Sequence, residues 1–323
     1  MRVQSKVLFF FFLVGLRAAG QNDSTMQMHD SAFHPPAASH GTVSGNTASP
    51  VPVFNGLRLI NAKTVEVLPA GVMAFIVVHN FGDIGGSNGG VHNFFGLDEA
   101  TDAQIGFQVG VARHLNVVLQ HTVGGGGLSH FYEGGLKYQF LAQGENGSPF
   151  SLTAYGNVVS SGQRTAGRDS LENSFVKSSD RLSELFQLMI ARRFGAVSLQ
   201  LSGTYLHTNL VIPGDQNGLF SVGAAVRFPI TGKFFIISDY FHSFRSSESK
   251  ATWEGLGLTP RDVFGVGVEI VAGGHVFHMN FTNARNILEN RFLPRTTDSW
   301  GKGQFRWGFT ITRNFNVFHP KKK

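Results

Sequence analysis

The sequence predicts an all-β fold, a transmembrane antiparallel up-and-down β-barrel of about twelve strands. Apolar side chains recur at every second position in window after window. Near the C-terminus, Phe305, Trp307, Phe309 and Ile311 alternate with small or polar residues. Successive side chains of a strand point to opposite faces, so one face of each such strand is apolar. Charged residues make up only 15% of the chain, against about 25% in soluble domains, which favours a barrel wall in lipid over a soluble β-sandwich.

The chain begins with the features of a secretory signal peptide, residues 1–20. Arg2 and Lys6 precede an apolar run of ten residues, which is too short to span a bilayer as a helix. Small residues then lead to Gly20, as a cleavage site requires. An uncleaved anchor is the competing interpretation. A cleaved signal peptide predicts an exported protein of a Gram-negative bacterium.

Residues 21–52 are predicted to be a disordered periplasmic tail. They are rich in Ser, Asn, Ala, His and Pro and show no apolar periodicity, which is typical of segments that cannot bury a core. A weak metal site formed by His29, His34 and His40 is conceivable, but solvated linker histidines are the simpler interpretation.

The barrel itself is predicted to cover residues 53–318. Most windows, counted with their flanking residues, are about ten residues long, as a tilted strand needs to cross the hydrocarbon. Residues 57–68 resemble a short first strand, but counting them gives an odd number. We place them in the periplasm or in the lumen, because bacterial barrels have even strand numbers. The twelve windows are 72–81, 104–111, 116–122, 135–140, 150–155, 186–190, 197–202, 220–228, 233–244, 264–270, 277–282 and 305–312.

The connections alternate between short turns and longer polar loops, the arrangement of periplasmic turns and external loops in outer-membrane barrels. Fourteen strands remain the alternative if residues 51–68 contain a hairpin. Phe315 and Phe318 are expected at the periplasmic end, where the barrel-assembly machinery reads a terminal aromatic residue. The basic tail, residues 319–323, departs from that pattern.

Composition narrows the function classes. The net charge of +6 comes from basic residues at the two termini, so the barrel is near neutral and no nucleic acid is expected as partner. The chain has no cysteine, which excludes disulfides and thiolate chemistry. We find no metal or cofactor motif: His275 and His278 are three apart, which on a strand separates them to opposite faces.

Three short motifs resemble a family of membrane-bound β-barrel domains of unknown function that is common in Bacteroidota. They are His79-Asn80-Phe81-Gly82, the loop sequence 93–98 (Asn-Phe-Phe-Gly-Leu-Asp) and Leu59-Ile60-Asn61 upstream. The family has Arg where this chain has Asn80. The resemblance covers residues 50 to 318 and implies the fold and the outer-membrane location, but no substrate.

The candidate functional residues lie on the polar faces of the strands. In a water-filled pore they would set charge preference, and in a closed barrel they would form ion pairs that hold the wall together. They are Lys137, Arg227, Glu269, His278 and Arg306.

A second candidate set could anchor the first long loop, residues 82–101, inside the lumen. The competing interpretation is that these residues only terminate a strand. They are His79, Phe81, Gly82, Phe95, Gly96 and Asp98.

These observations favour a porin-like channel for small polar solutes, embedded in outer-membrane lipid. The alternatives are a closed structural or adhesive barrel and an outer-membrane lipid hydrolase. The hydrolase needs a serine and a histidine in contact. His242 and Ser243 are sequence neighbours and therefore face opposite ways on one strand, so we predict no catalytic residue.

Overall fold

The computed structural model describes residues 49–124, 128–166 and 172–318, and it confirms a closed antiparallel barrel of twelve strands. The predicted signal peptide, nearly all of the tail and the basic C-terminus lie outside the described residues. Within them, no helix is long and apolar enough to cross a membrane. The strands are β1 (Val72–Asp83), β2 (Ala100–Ala112), β3 (Leu115–Gly124), β4 (His130–Leu141), β5 (Ser151–Ser161), β6 (Leu182–Phe194), β7 (Val197–Thr208), β8 (Gly218–Pro229), β9 (Phe234–Phe244), β10 (Val263–Ala272), β11 (His275–Thr282) and β12 (Arg306–Asn316).

Each strand pairs with its sequence neighbours, and β1 closes the barrel against β12, with Val72 opposite Asn316 and Asn80 opposite Gly308. Closure leaves no free strand edge, which a sheet in lipid cannot tolerate. Short turns join the strands at one end, here called the turn end. Longer connections join them at the other, the loop end. The loop end also carries two short helices, α1 (Ser247–Gly255) and α2 (Glu289–Arg295).

The alternation along the strands sorts side chains between an apolar outside and a polar inside. In β12, Trp307 and Phe309 face outward while Arg306 and Thr310 are buried. Phe186, Leu201, Phe220 and Met279 are among the large apolar side chains left exposed on the outer face. The outer face is therefore apolar and the buried core is the lumen, as expected for a wall that faces lipid.

The segment before β1 fills much of the lumen. It starts at the turn end, where the Val51 N–H donates to Gln143 O at 2.7 Å, and returns there, where the Gly71 N–H donates to Gly110 O at 2.8 Å. Between these points we call residues 53–68 the plug. Arg58 and Lys63 form an isolated bridge instead of a wall hairpin, so fourteen strands are not formed.

The loop between β11 and β12 also folds into the barrel, from the loop end. We call residues 283–299 the inner loop; it contains α2. Its side chains Ile287, Leu288, Phe292 and Leu293 are 0–4% exposed. The inner loop turns inward because burial of these apolar side chains removes their surface from water.

The first long loop does not place its candidate residues in the lumen. Asp98 is exposed, and His79 packs outward against the rings of Phe81 and Phe309. Gly82 and Gly96 hold the loop against the end of β1, since a Cβ at Gly96 would lie 2.3 Å from Gly82 O. Thus the loop that enters the lumen is the inner loop, after β11.

Candidate functional site

The lumen is the candidate functional site, and polar side chains join its wall to the plug and the inner loop. The five residues predicted on the polar faces all point inward, and they are only 0–3% exposed. In an open, water-filled pore these charges would be hydrated. Here they are covered by protein, and all of them except Lys137 belong to clusters of paired polar groups.

The first cluster lies toward the turn end and joins three of the predicted residues. Glu269 accepts from Arg227 Nε at 2.7 Å and contacts His278 Nε2 at 3.1 Å. The plug reaches it through Asn55, whose Nδ2 donates to Glu269 at 2.9 Å. The guanidinium of Arg227 also stacks 3.5 Å from the ring centre of Phe235. Glu269 is therefore surrounded by polar partners on two other strands, β8 and β11, and on the plug.

The second cluster joins wall, plug and inner loop at a single ammonium group. Lys63 of the plug pairs with Glu133 of β4 at 3.3 Å and with Glu289 of α2. Tyr155 and Asn157 of β5 donate to the same Glu133 carboxylate. Removing one partner of such a buried ion pair leaves an uncompensated charge and costs about 3–5 kcal/mol. Lys63 thus connects three parts of the chain: the plug, the wall and the inner loop.

The third cluster holds the inner loop at the loop end. Arg306 of β12 is completely buried and pairs with Asp83 of β1 at 2.6 Å and with Asp298 of the inner loop. The cluster lies where β1 and β12 meet. It therefore stabilises both the closing seam and the inner loop.

The tip of the plug is held by hydrogen bonds to one wall carboxylate. Asp239 of β9 accepts from the backbone N–H groups of Asn61 at 2.6 Å and Ala62 at 2.8 Å, and from Asn61 Nδ2 at 2.8 Å. Nearby, Arg58 donates to Gln104 at 3.0 Å and to the carbonyl oxygen of Ile287 at 2.7 Å. The plug and the inner loop therefore touch directly inside the barrel.

Glu66 ties the plug to itself near the turn end. Its carboxylate accepts from the backbone N–H groups of Val53 at 2.9 Å and Phe54 at 3.0 Å. Burial raises the pKa of Glu66 above its usual range, against the lowering effects of these two bonds and of Lys137. The Lys137 ammonium is buried and forms no hydrogen bond within the described chain.

Two further arginines fix α2 at the loop end. Arg291 and Arg295 both pair with Glu172 of the β5–β6 loop. Burial lowers the pKa of each to about 10, so both remain charged near neutral pH. Asp102 of β2 accepts from the Ile287 N–H at 2.8 Å and adds a second anchor.

Sequence reasoning missed the partners of the predicted charges. Asp239 and Glu133 lie on the polar faces of their strands, so the same alternation would have found them. The roles of Asn61, Lys63 and Glu289 carry no such signal, because their partners lie far away in the chain.

The histidine considered for hydrolysis lies at the outer rim. His242 Nδ1 is 2.8 Å from Asp262, which also accepts from the hydroxyl of Tyr240. Ser243 points to the other face and donates to Leu293 O at 3.1 Å. The structure thus separates His242 from Ser243, as the alternation predicts.

An apolar outer face around a polar, filled lumen defines a membrane-spanning β-barrel. The chain belongs to the family described as Membrane bound beta barrel domain (DUF5777), whose model matches residues 54–315. The match begins inside the plug, so the plug belongs to the family domain. The resemblance seen in the sequence is therefore confirmed. A comparison with curated proteins finds no match.

Several solved structures are similar to this chain at a low level. The KdgM porin has a TM-score of 0.46 at 9% identity, covering 76% of this chain and 99% of that chain. The NanC porin has a TM-score of 0.43 at 5% identity, covering 76% and 100%. An outer membrane channel from Pseudomonas putida F1 has a TM-score of 0.44 at 12% identity, covering 78% and 98%.

Proposed function

We propose that this protein is an outer-membrane, porin-like barrel that is closed at rest by its own plug and passes small polar solutes when the plug moves aside. The signal-peptide features, the strand alternation and the turn-and-loop asymmetry support the outer membrane, with the turn end in the periplasm. We infer the closed state from the burial of all five predicted luminal residues, which are only 0–3% exposed.

The chemistry of the plug contacts supports movement. The plug is attached to the wall by carboxylates, amides and ammonium groups, at Asp239, Glu133 and Glu269. Buried ion pairs often stabilise a fold no better than apolar packing of similar volume. Water can replace polar contacts when the plug leaves, whereas hydration of an apolar lumen would be unfavourable. The plug also packs apolar side chains, among them Leu59, Ile60 and Val65, into one core cluster with wall residues, so movement must break this packing as well, and the polar contacts are the part that water can replace.

The closed structural barrel is the second candidate, supported by the same burial. The two differ in what happens when the plug is loosened. Arg58→Ala combined with Lys63→Ala removes the plug contacts to Gln104, Ile287, Glu133 and Glu289. Lys233→Ala, in the exposed β8–β9 turn, is the matched control.

The test is ion current across planar bilayers together with chemical labelling of the plug. The chain lacks cysteine, so Thr64→Cys gives a single buried thiol for a maleimide probe. We expect the parent and control to be silent and poorly labelled, and the double variant to conduct and to label quickly. A double variant that labels quickly yet never conducts would overturn the channel and support the structural barrel.

A further inference from the structure

The barrel wall has a gap at the loop end, between β9 and β10. The pairing of these strands ends at Phe241 opposite Val263, although β9 continues to Phe244. Residues 260–262 leave the wall, and the Arg261 N–H donates to Thr296 O of the inner loop at 2.8 Å. The last residues of β9 therefore lack a neighbour on the β10 side, and a cleft opens there.

We call this opening the rim cleft, and its volume is about 240 Å³. Polar and charged residues of β9, α1, residues 260–262 and the inner loop line it, together with the apolar Phe244, Pro260 and Leu293. Ser243 Oγ donates to Leu293 O at 3.1 Å, and Thr296 Oγ1 donates to Phe292 O at 2.8 Å. These bonds fix the inner loop as one wall. The volume is just below the roughly 300–1,000 Å³ of drug-sized ligand sites, so it suits a compact polar group.

The rim cleft holds two uncommitted cations. Lys250 of α1 and Arg261 are exposed, and within the described chain their side chains form no hydrogen bond or ion pair. Arg245, which also lines the cleft, is committed to Asp215 at 3.0 Å and Ser249 at 2.8 Å. The lining carboxylate of Asp262 is already held by His242 and Tyr240.

We propose that the rim cleft binds a phosphate monoester. The phosphate is carried either by a compact sugar or by a membrane lipid with a compact headgroup. A phosphate monoester carries a charge of about −1.5 to −2 near pH 7, which matches the two free cations better than a single carboxylate. Lys250 supplies a point charge, and the planar guanidinium of Arg261 can hold two phosphate oxygens at once. The cleft opens beside outward-facing Phe244, so a lipid can reach it from the side.

The experiment uses the full chain, with Lys250→Gln and Arg261→Gln combined. The matched control is Arg164→Gln with Lys302→Gln, which removes one arginine and one lysine exposed on other loops of the same end. Titration calorimetry in detergent tests glucose 6-phosphate, with glucose as the neutral probe. Native mass spectrometry from phosphatidylcholine nanodiscs, with and without phosphatidic acid, tests the lipid.

We expect the cleft variant to weaken binding of one phosphate probe by about tenfold or more, and the control variant by less than about twofold. Weakening of glucose 6-phosphate binding assigns the cleft to soluble sugars, and weakening of phosphatidic acid retention assigns it to lipids. The proposal is wrong if the parent binds neither probe. It is also wrong if the cleft variant binds both probes as tightly as the parent does. Heat-dependent mobility on gels confirms that each variant is a folded barrel. This test measures ligand binding and not ion current. Its result therefore does not depend on whether the protein is a channel.

Discussion

Asp239→Ala is the sharpest test of how the plug is held. The substitution removes the acceptor for three donors of the plug: the N–H groups of Asn61 and Ala62, and Asn61 Nδ2. Asn61, Ala62 and Asp239 are 2–3% exposed, so water does not replace the lost acceptor while the plug stays docked. A buried donor without a partner costs about 1–3 kcal/mol.

The two orphaned backbone N–H groups together weaken docking by about 2–6 kcal/mol. Each 1.4 kcal/mol is a factor of ten in an equilibrium, so the undocked population rises by about 30-fold to 20,000-fold. Removing the buried carboxylate also relieves its desolvation cost, which moves the expectation toward the lower end. Asp239→Asn keeps one acceptor oxygen and is expected to fall between the parent and Asp239→Ala.

The assay is the rate at which a maleimide labels the cysteine of Thr64→Cys, which is fully buried in the docked plug. Glu184→Ala, on the outward face of β6, is the matched control for loss of a strand carboxylate. Gel mobility before and after heating reports whether the barrel is folded. A folded Asp239→Ala barrel that labels at the parent rate would refute the argument that these bonds hold the plug.

Three other predictions follow from the same geometry. Val268→Arg places a charge on the outer face and should impair membrane insertion, at a cost of about 2–4 kcal/mol near the midplane, whereas Thr310→Val, on the inner face of β12 where the hydroxyl has no hydrogen-bond partner in the described chain, should insert normally; the reverse result in a vesicle-insertion assay contradicts our assignment of faces. Asp102→Ala frees the Ile287 N–H and should speed trypsin cleavage of the inner loop in intact vesicles; unchanged cleavage argues against this anchor. Since burial raises the pKa of Glu66, the docked plug favours the protonated form of this group, so the contribution of Glu66 to docking should be greatest in acid and decrease as pH rises through that pKa. The labelling ratio of Glu66→Gln to the parent across pH measures this effect, and a constant ratio contradicts it.

The strands and their facing could be read directly from the sequence. The alternation that places Trp307 outward and Arg306 inward is a local property of the backbone, and it identified five buried luminal charges. The even-number rule correctly kept residues 57–68 out of the wall. In contrast, a motif alone did not decide whether the first long loop enters the lumen, and in the structure that loop leaves Val91, Phe94 and Asp98 exposed.

What the sequence by itself determined is the wall: twelve strands, an apolar face toward lipid and a polar face toward the lumen. Only the tertiary structure decided what fills that lumen. The contacts that close it join residues far apart in the chain, such as Asn61 with Asp239 and Lys63 with Glu289, separated by 178 and 226 positions. Period two reports which face a side chain takes, but it carries no information about which distant segment folds against that face.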